Sequence, residues 1–143
     1  MPRETGRKVI AQNRNMVTLN GALAVDLAGQ VVADTIGGTQ FSGIGGHEDF
    51  VSGPGLSADG RSLVCLPSSS IVDGQRVSRV LPSLPAGSVV STPRHQVDVV
   101  ITEFGVAELM GRTIRERAMA LASIGHPEVR EDLMAMAAAW PRD

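Results

Sequence analysis

One stretch concentrates the residues that could do chemistry: Gly37-Gly38-Thr39-Gln40-Phe41-Ser42-Gly43-Ile44-Gly45-Gly46-His47-Glu48-Asp49-Phe50. Five of its first ten residues are glycine, and three titratable side chains then follow in succession. Glycine gives up more backbone freedom on folding than any other residue, so a loop this rich in it is costly. A turn needs one or two glycines. Five point to a backbone that comes close to a ligand and offers it several N–H groups, as an anion or a developing oxyanion requires. The loop is not a nucleotide fingerprint. Gly43-Ile44-Gly45 begins a G-x-G-x-x-G pattern, but Glu48 stands where the third glycine belongs, and no Gly-Lys-Ser/Thr follows. A tight connection without a ligand stands as the plainer alternative.

His47-Glu48-Asp49 offers three metal-ligating side chains in a row, but consecutive residues point in different directions and rarely share one ion. Only His95 and His126 remain as further histidines, so no metal site is expected. Asp49 is expected to cap the short helix that follows. Glu103 is the second candidate. It ends the most β-branched run of the chain, Val97-Asp98-Val99-Val100-Ile101-Thr102, and open α/β sheets bind ligands outside the carboxyl ends of their strands. A partly buried glutamate there would have a shifted pKa suited to acid–base or binding work. Equally, Glu103 could cap a short helix over Val106–Met110 or pair with Arg112. Arg79, Arg94 and His95 are read as anion contacts or, more simply, as solvated side chains. Cys65 sits in an apolar run and reads as a small buried hydrophobe. Ser68-Ser69-Ser70 reads as a loop without the context of a nucleophilic serine, and His126 as the start of a helix.

The elements that must position these groups follow from pattern. Strands are expected over Met16–Leu19, Ala22–Leu27 and Val31–Asp34, the last two forming a hairpin. A short helix over Glu48–Ser52 is stopped by Gly53-Pro54-Gly55. Further strands are expected over Ser62–Leu66, Val77–Leu81, Val89–Ser91 and Val97–Thr102. Thr113-Ile114-Arg115-Glu116 is a capping box, with Thr at the cap and Glu three residues on. Its helix carries an apolar stripe of Ile114, Ala118, Leu121 and Ala122 and ends at Gly125. Pro127 opens a second helix that buries Val129, Leu133, Met136 and Ala137 and ends at Trp140-Pro141. The result is an α/β class with an open mixed sheet. Both long helices come late, yet a parallel sheet needs both faces covered. A sheet face is therefore expected to stand open for another segment or subunit.

Composition bounds the function. The 143 residues make one domain, and a net charge of −2 with 3% aromatics and no tyrosine argues against nucleic acid. The single cysteine excludes an internal disulfide and fits a reducing compartment. No apolar run approaches the roughly 18 residues of a membrane span, and the polar start Met1-Pro2-Arg3-Glu4 lacks the apolar core of a signal peptide. A cytoplasmic protein is expected, with neither membrane nor nucleic acid as partner.

Several blocks, taken in order, carry a resemblance. Met16-Val17-Thr18-Leu19-Asn20-Gly21-Ala22-Leu23-Ala24-Val25-Asp26-Leu27-Ala28-Gly29-Gln30-Val31 resembles the M-V-x-x-N-x-A-L-x-V-D-x-x-G-Q-V run of the acetyl-CoA hydrolase/transferase family, which includes acetate, succinate and 4-hydroxybutyrate CoA-transferases. Phe41 to Phe50 resembles its F-S-G-x-G-G-x-x-D-F loop. Ser78 to Pro82, Val100 to Leu109 and His126 to Arg130 are similar to later family blocks. The resemblance implies a CoA-transferase-like α/β fold and an incomplete domain: a lead-in at 1–15, then the family's C-terminal portion over 16–143.

The resemblance also implies a reaction. A family glutamate attacks an acyl-CoA and passes through a glutamyl-CoA thioester, which a small carboxylate such as acetate resolves in transferases and water resolves in hydrolases. Gly46 would supply an oxyanion N–H, Ser42, Gly43, Gly45 and Gly46 would line the CoA thiol arm, and Glu103 would contact CoA or the acyl group. CoA and acyl-CoA are substrates; no permanently bound cofactor is expected.

Three departures set further expectations. The nucleophilic glutamate belongs to a segment upstream of the matched part, so an N-terminal half or partner subunit is expected to supply it, and 143 residues alone are expected to be inactive. The family asparagine that completes the oxyanion hole has no match at Thr5-Gly6-Arg7. Asp73 stands where many relatives carry a CoA-contacting lysine, a charge reversal that weakens affinity for a phosphorylated cofactor. A non-catalytic acyl-CoA-binding remnant is the alternative, and self-association through the open sheet is expected of either.

Overall fold

A computed structural model describes residues 6–141; the first five residues of the lead-in, including Thr5, and the last two of the chain lie outside the described residues. In chain order the elements are α1 (Arg7–Ala11), β1 (Val17–Gly21), β2 (Ala24–Asp26), β3 (Val31–Val32), β4 (Thr35–Ile36), β5 (Thr39–Gln40) and α2 (His47–Ser52). A single 3-10 turn at Pro54–Leu56 leads to β6 (Arg61–Cys65), β7 (Ser69–Val72), β8 (Gln75–Ser78), β9 (Val80–Leu81), β10 (Val99–Thr102), β11 (Gly105–Glu108), α3 (Ile114–Ser123) and α4 (Pro127–Ala138). No helix among the described residues is long and apolar enough to cross a membrane.

The main sheet has the order β1-β6-β10-β11. Its first three strands run parallel and β11 returns antiparallel to β10. Gly21 pairs with Cys65, and Cys65 with Ile101. This register aligns the carboxyl ends of three strands at one edge. A smaller sheet, β3-β2-β9, packs beside it, and β4–β5 and β7–β8 are separate hairpins.

Alternation along the strands gives the main sheet two unlike faces. Thr18, Ser62, Val64, Val100, Thr102 and Ala107 are buried on one face, beneath α2 and α3. There the core closes on Val25, Leu27, Val31, Val80, Leu121 and Ile124 from the small sheet and the late helices. The opposite face carries Val17, Leu19 and Val106 at 51%, 67% and 58% exposure, with Cys65 and Ile101 half-buried between them. This is the open face that the strand pattern and the late helices lead one to expect. Cys65 belongs to it, and so is not the fully buried hydrophobe its apolar neighbours suggest.

α3 begins as its sequence requires. Thr113 Oγ1 accepts from Glu116 N at 3.2 Å, while Glu116 Oε2 accepts from Thr113 N at 2.8 Å. Arg117, buried on the same helix, donates to the carbonyls of Leu109 at 3.0 Å, Ala28 at 3.4 Å and Arg94 at 2.5 Å. It thereby ties α3 to the β2–β3 turn. Gly29 makes room for it: φ is +90°, and a Cβ there would lie 2.4 Å from Arg117 Nη2.

Several local expectations differ from the structure. Val106–Met110 is not a helix; β11 covers Gly105–Glu108, because pairing to β10 outweighs a weak local preference. Ser69 and Ser70 lie in a hairpin strand rather than a loop. The run Val77–Leu81 is split into β8 and β9 at Arg79. Val89–Ser91 forms no strand: Ser91 N and Thr92 N both donate to Val31 O, leaving one isolated bridge. Met136 is 49% exposed, whereas Leu133 and Ala137 are buried.

Candidate active site at the carboxyl edge of the sheet

The glycine loop divides its glycines between turns and open ground. Gly37 and Gly38, at φ +58° and +79°, are the two turn residues of the β4–β5 hairpin, in which Ile36 pairs with Thr39. Successive left-handed residues match the strand twist, and glycine takes them without strain. The carbonyl of Asp34 then closes the hairpin by accepting from Phe41 N at 2.8 Å and Ser42 N at 3.2 Å. The carboxylate of Asp34 accepts from Ser91 Oγ and, at 3.3 Å, from Gln40 Nε2. Those donors, Ser91 foremost, hold its carboxyl below the usual range.

Gly45 is left-handed at φ +58°, and Gly46 is the N-cap of α2. Asp49 therefore lies inside that helix rather than capping it. A Cβ at Gly43 or Gly45 would meet nothing within 4 Å, whereas one at Gly46 would sit 3.4 Å from the Phe50 ring. Among the described residues, the N–H groups of Gly43, Gly45 and Gly46 donate to no protein acceptor.

This loop walls a polar cleft of about 240 Å³, with Asn20, Gly21, Asp34, Ser42, Gly43 and His47 in its lining. Asn20 and Gly21 come from the carboxyl end of β1. The Asn20 Nδ2 is buried without a hydrogen-bond partner among the described residues. His47 is buried, its Nε2 2.7 Å from Thr92 Oγ1. Burial pushes its imidazole below the ordinary histidine value, with Glu48 and Asp34 opposing. Glu48 instead reaches Arg7 at 3.5 Å and Gln96 at 3.3 Å. His47 and Glu48 thus turn to different partners.

Glu103 lies on the same sheet edge, just beyond β10, outside that cleft's lining. It neither caps a helix nor pairs with Arg112. Its Oε1 accepts from Ser68 Oγ at 2.7 Å and its Oε2 from Ser68 N at 2.8 Å. These bonds, the hydroxyl first, hold the exposed carboxyl below the usual carboxylate range. Thr102 fixes the turn by donating to Ile124 O at 2.7 Å and accepting from Phe104 N at 3.1 Å. Phe104 meets the His126 ring edge-on at 5.4 Å and the Arg130 guanidinium at 5.2 Å.

Ser42 and Gly43 are therefore brought together in one cleft, Gly45 and Gly46 follow in the same loop outside its lining, and Glu103 stands apart along the edge. Asn20 and Ser68 are the members that sequence reasoning missed. Asn20-Gly21 reads locally as a turn, and Ser68 as one of three equivalent loop serines. Only strand register reveals their positions. Arg79 is engaged by Leu23 O at 2.9 Å. His95 lines a larger cleft of about 640 Å³ at the opposite, amino-terminal ends of β6 and β10. Arg61 and Asp98 in that cleft pair with each other at 2.8 Å.

Residues 5–137 match the acetyl-CoA hydrolase/transferase C-terminal domain. The chain is 48% identical over 126 residues to the 4-hydroxybutyrate coenzyme A transferase of Clostridium kluyveri, covering 88% of this chain and 29% of that protein. RipA from Yersinia pestis superposes with a TM-score of 0.81 at 36% identity, over 94% of this chain and 30% of that one. The 4-hydroxybutyrate CoA-transferase of Porphyromonas gingivalis gives 0.70 at 36% identity, over 92% of this chain and 28% of that one. The chain thus spans less than a third of the length of these proteins. With its open mixed sheet, its glycine loop and its late helical pair, it belongs to the acetyl-CoA hydrolase/transferase family and corresponds to part of that family's C-terminal domain.

Proposed function

We propose that this chain forms one wall of a CoA-thioester site that moves CoA between an acyl-CoA and a small carboxylate such as acetate. In this reading the reaction passes through a glutamyl-CoA thioester. The nucleophilic glutamate comes from the part of the family's proteins that this chain does not span. The observation that carries the reading is a set of unclaimed donors: the Asn20 amide and the Gly43 N–H in one cleft at the carboxyl edge of the sheet, with the N–H groups of Gly45 and Gly46 next in the same loop.

When a carboxylate attacks a thioester, charge gathers on the carbonyl oxygen, and preorganised donors stabilise it. Gly46 N–H is the proposed oxyanion donor. Ser42, Gly43 and Gly45 line the path of the thiol arm, and Glu103 is an anionic contact. CoA enters as substrate, so no resident cofactor is invoked. The part of the family's proteins that this chain does not span is also the proposed cover of the open sheet face, and a cytoplasmic setting suits the single cysteine and the soluble substrates.

Two further readings each have an observation behind them. The matched family covers hydrolases as well as transferases, and a hydrolase differs only in using water as the acceptor. Glu103, the carboxylate of the candidate set, has both oxygens hydrogen-bonded to Ser68, which favours a non-catalytic acyl-CoA-binding module. Co-expression with the remaining portion of the Clostridium kluyveri relative separates them. The transferase reading expects CoA transfer to acetate and a hydroxylamine-trappable glutamyl thioester. Gly46→Pro, which removes the proposed donor N–H, should then lower turnover by about 10²–10³-fold, and Glu103→Ala should lower it as well. Acid release without a carboxylate acceptor identifies a hydrolase. Acyl-CoA binding with no turnover in a folded, assembled pair identifies the binding module.

A further inference from the structure

We propose that Ser68 is the positioning residue of Glu103: it holds the carboxylate as a fixed hydrogen-bond acceptor at the sheet edge, excluding it from service as acid, base or nucleophile. The ligand that Glu103 faces rests on the CoA-thioester reading; the Ser68–Glu103 relation does not.

The geometry is that of a clamp. Ser68 is fully buried, three residues beyond the end of β6, and Glu103 is one residue beyond the end of β10. These strands are adjacent, with Cys65 paired to Ile101, and Leu66 N donates to Ile101 O at 3.1 Å. Ser68 is held from its other side by Arg79 N, which donates to Ser68 O at 2.8 Å. It then presents two donors from one residue, one to each oxygen of Glu103. Hydrogen bonds to an ionised carboxylate are stronger than neutral ones. Protonation would put an O–H against a ring of donors, so the clamp selects the ionised form.

Of the surrounding groups, His126 favours the same form by its charge. His126 caps α4, Arg130 from α4 stacks on Phe104, and Arg76 from β8 donates to Ser69 Oγ at 3.0 Å while pairing with Glu128 at 3.2 Å. The lowered pKa of Glu103, caused first by the Ser68 hydroxyl, agrees with this arrangement.

A carboxylate with both oxygens engaged is a poor nucleophile, and one kept ionised is a poor acid. Each oxygen keeps a further lone pair, on a residue exposed to solvent. The group presented to it must therefore be an N–H or O–H donor, such as an amide of the CoA thiol arm, and a second carboxylate at that point is repelled.

Titration of the Glu103 side-chain carboxyl in the full chain, by carbon-13 NMR with Glu103→Gln for assignment, tests the proposal. Ser68→Ala removes the hydroxyl but keeps the N–H, and should move the Glu103 midpoint upward toward the ordinary glutamate range. Ser68→Thr restores a hydroxyl and should bring it back down. An unchanged midpoint in Ser68→Ala, with an otherwise unaltered amide spectrum, overturns the proposal. So does a raised midpoint in Ser68→Thr. CoA-thioester binding measured on the same samples reports on the functional reading separately: a Ser68-dependent midpoint with no binding keeps the clamp and removes the ligand.

Discussion

His47 shows how one residue couples the candidate site to stability. Its imidazole is held neutral by burial and set against Thr92. The unfolded chain binds that proton more readily than the native one as pH falls below the ordinary histidine value of 6.5. By linkage, stability rises with pH across this window and is lost on acidification, at up to about 1.4 kcal/mol per pH unit for one proton. Urea midpoints at pH 7.5 and 5.5 should fall with pH in the native chain, and the difference should shrink in His47→Gln. A pH-independent midpoint in the native chain would contradict the buried neutral imidazole. Asp34 and Glu103, both depressed by hydroxyl donors, act in a lower window. Their stabilisation is present above the ordinary carboxylate range and is lost as pH falls through their depressed folded values.

Among the elements, α3 has the most local determination. Its capping box is complete, with Thr113 and Glu116 satisfying each other's backbone donors. Loss of such a cap costs about 0.5–2 kcal/mol. Thr113→Ala should therefore lower the urea midpoint without changing the denaturant slope, and Thr113→Ser should recover most of the loss. A Thr113→Ala chain as stable as the native one would show that Arg117 and the packing of Leu121 and Ala122 already fix the helix start. The glycine loop lies at the other extreme. Its hairpin turn is local, while its base depends on Asp34 and Ser91, 57 residues apart.

At the scale of the molecule, the dominant feature is the partly open face of the main sheet, where Val17, Leu19 and Val106 are exposed. Each aliphatic side chain fully covered there would gain about 1.5–3 kcal/mol, and parallel strands are seldom left open to water. The chain alone should self-associate, and Leu19→Lys with Val106→Lys should shift sedimentation toward monomer while leaving the far-ultraviolet circular dichroism intact. A native chain that sediments as a clean monomer at high concentration would contradict this. Co-expression with the family's remaining portion should suppress the association in the native chain, and the double variant should fail to pair with that portion.

Local pattern determined much of this protein. β-branched runs placed β1 and β10 and a short apolar run placed β6, because such side chains suit a pleated, half-buried surface. A capping box and a proline start placed α3 and α4, because helix ends are satisfied by near neighbours. The glycine loop and Glu103 could be singled out because their residue types are costly or conspicuous wherever they fall. Tertiary structure alone decided that Val106 to Glu108 is a strand, since only pairing to β10 makes it one. It also decided that Asn20 comes to the loop's cleft and that Ser68, among three serines, reaches Glu103 across two strands. Strand register is set by which side chains can be buried together over long sequence separations, and no single stretch of this chain contains that information.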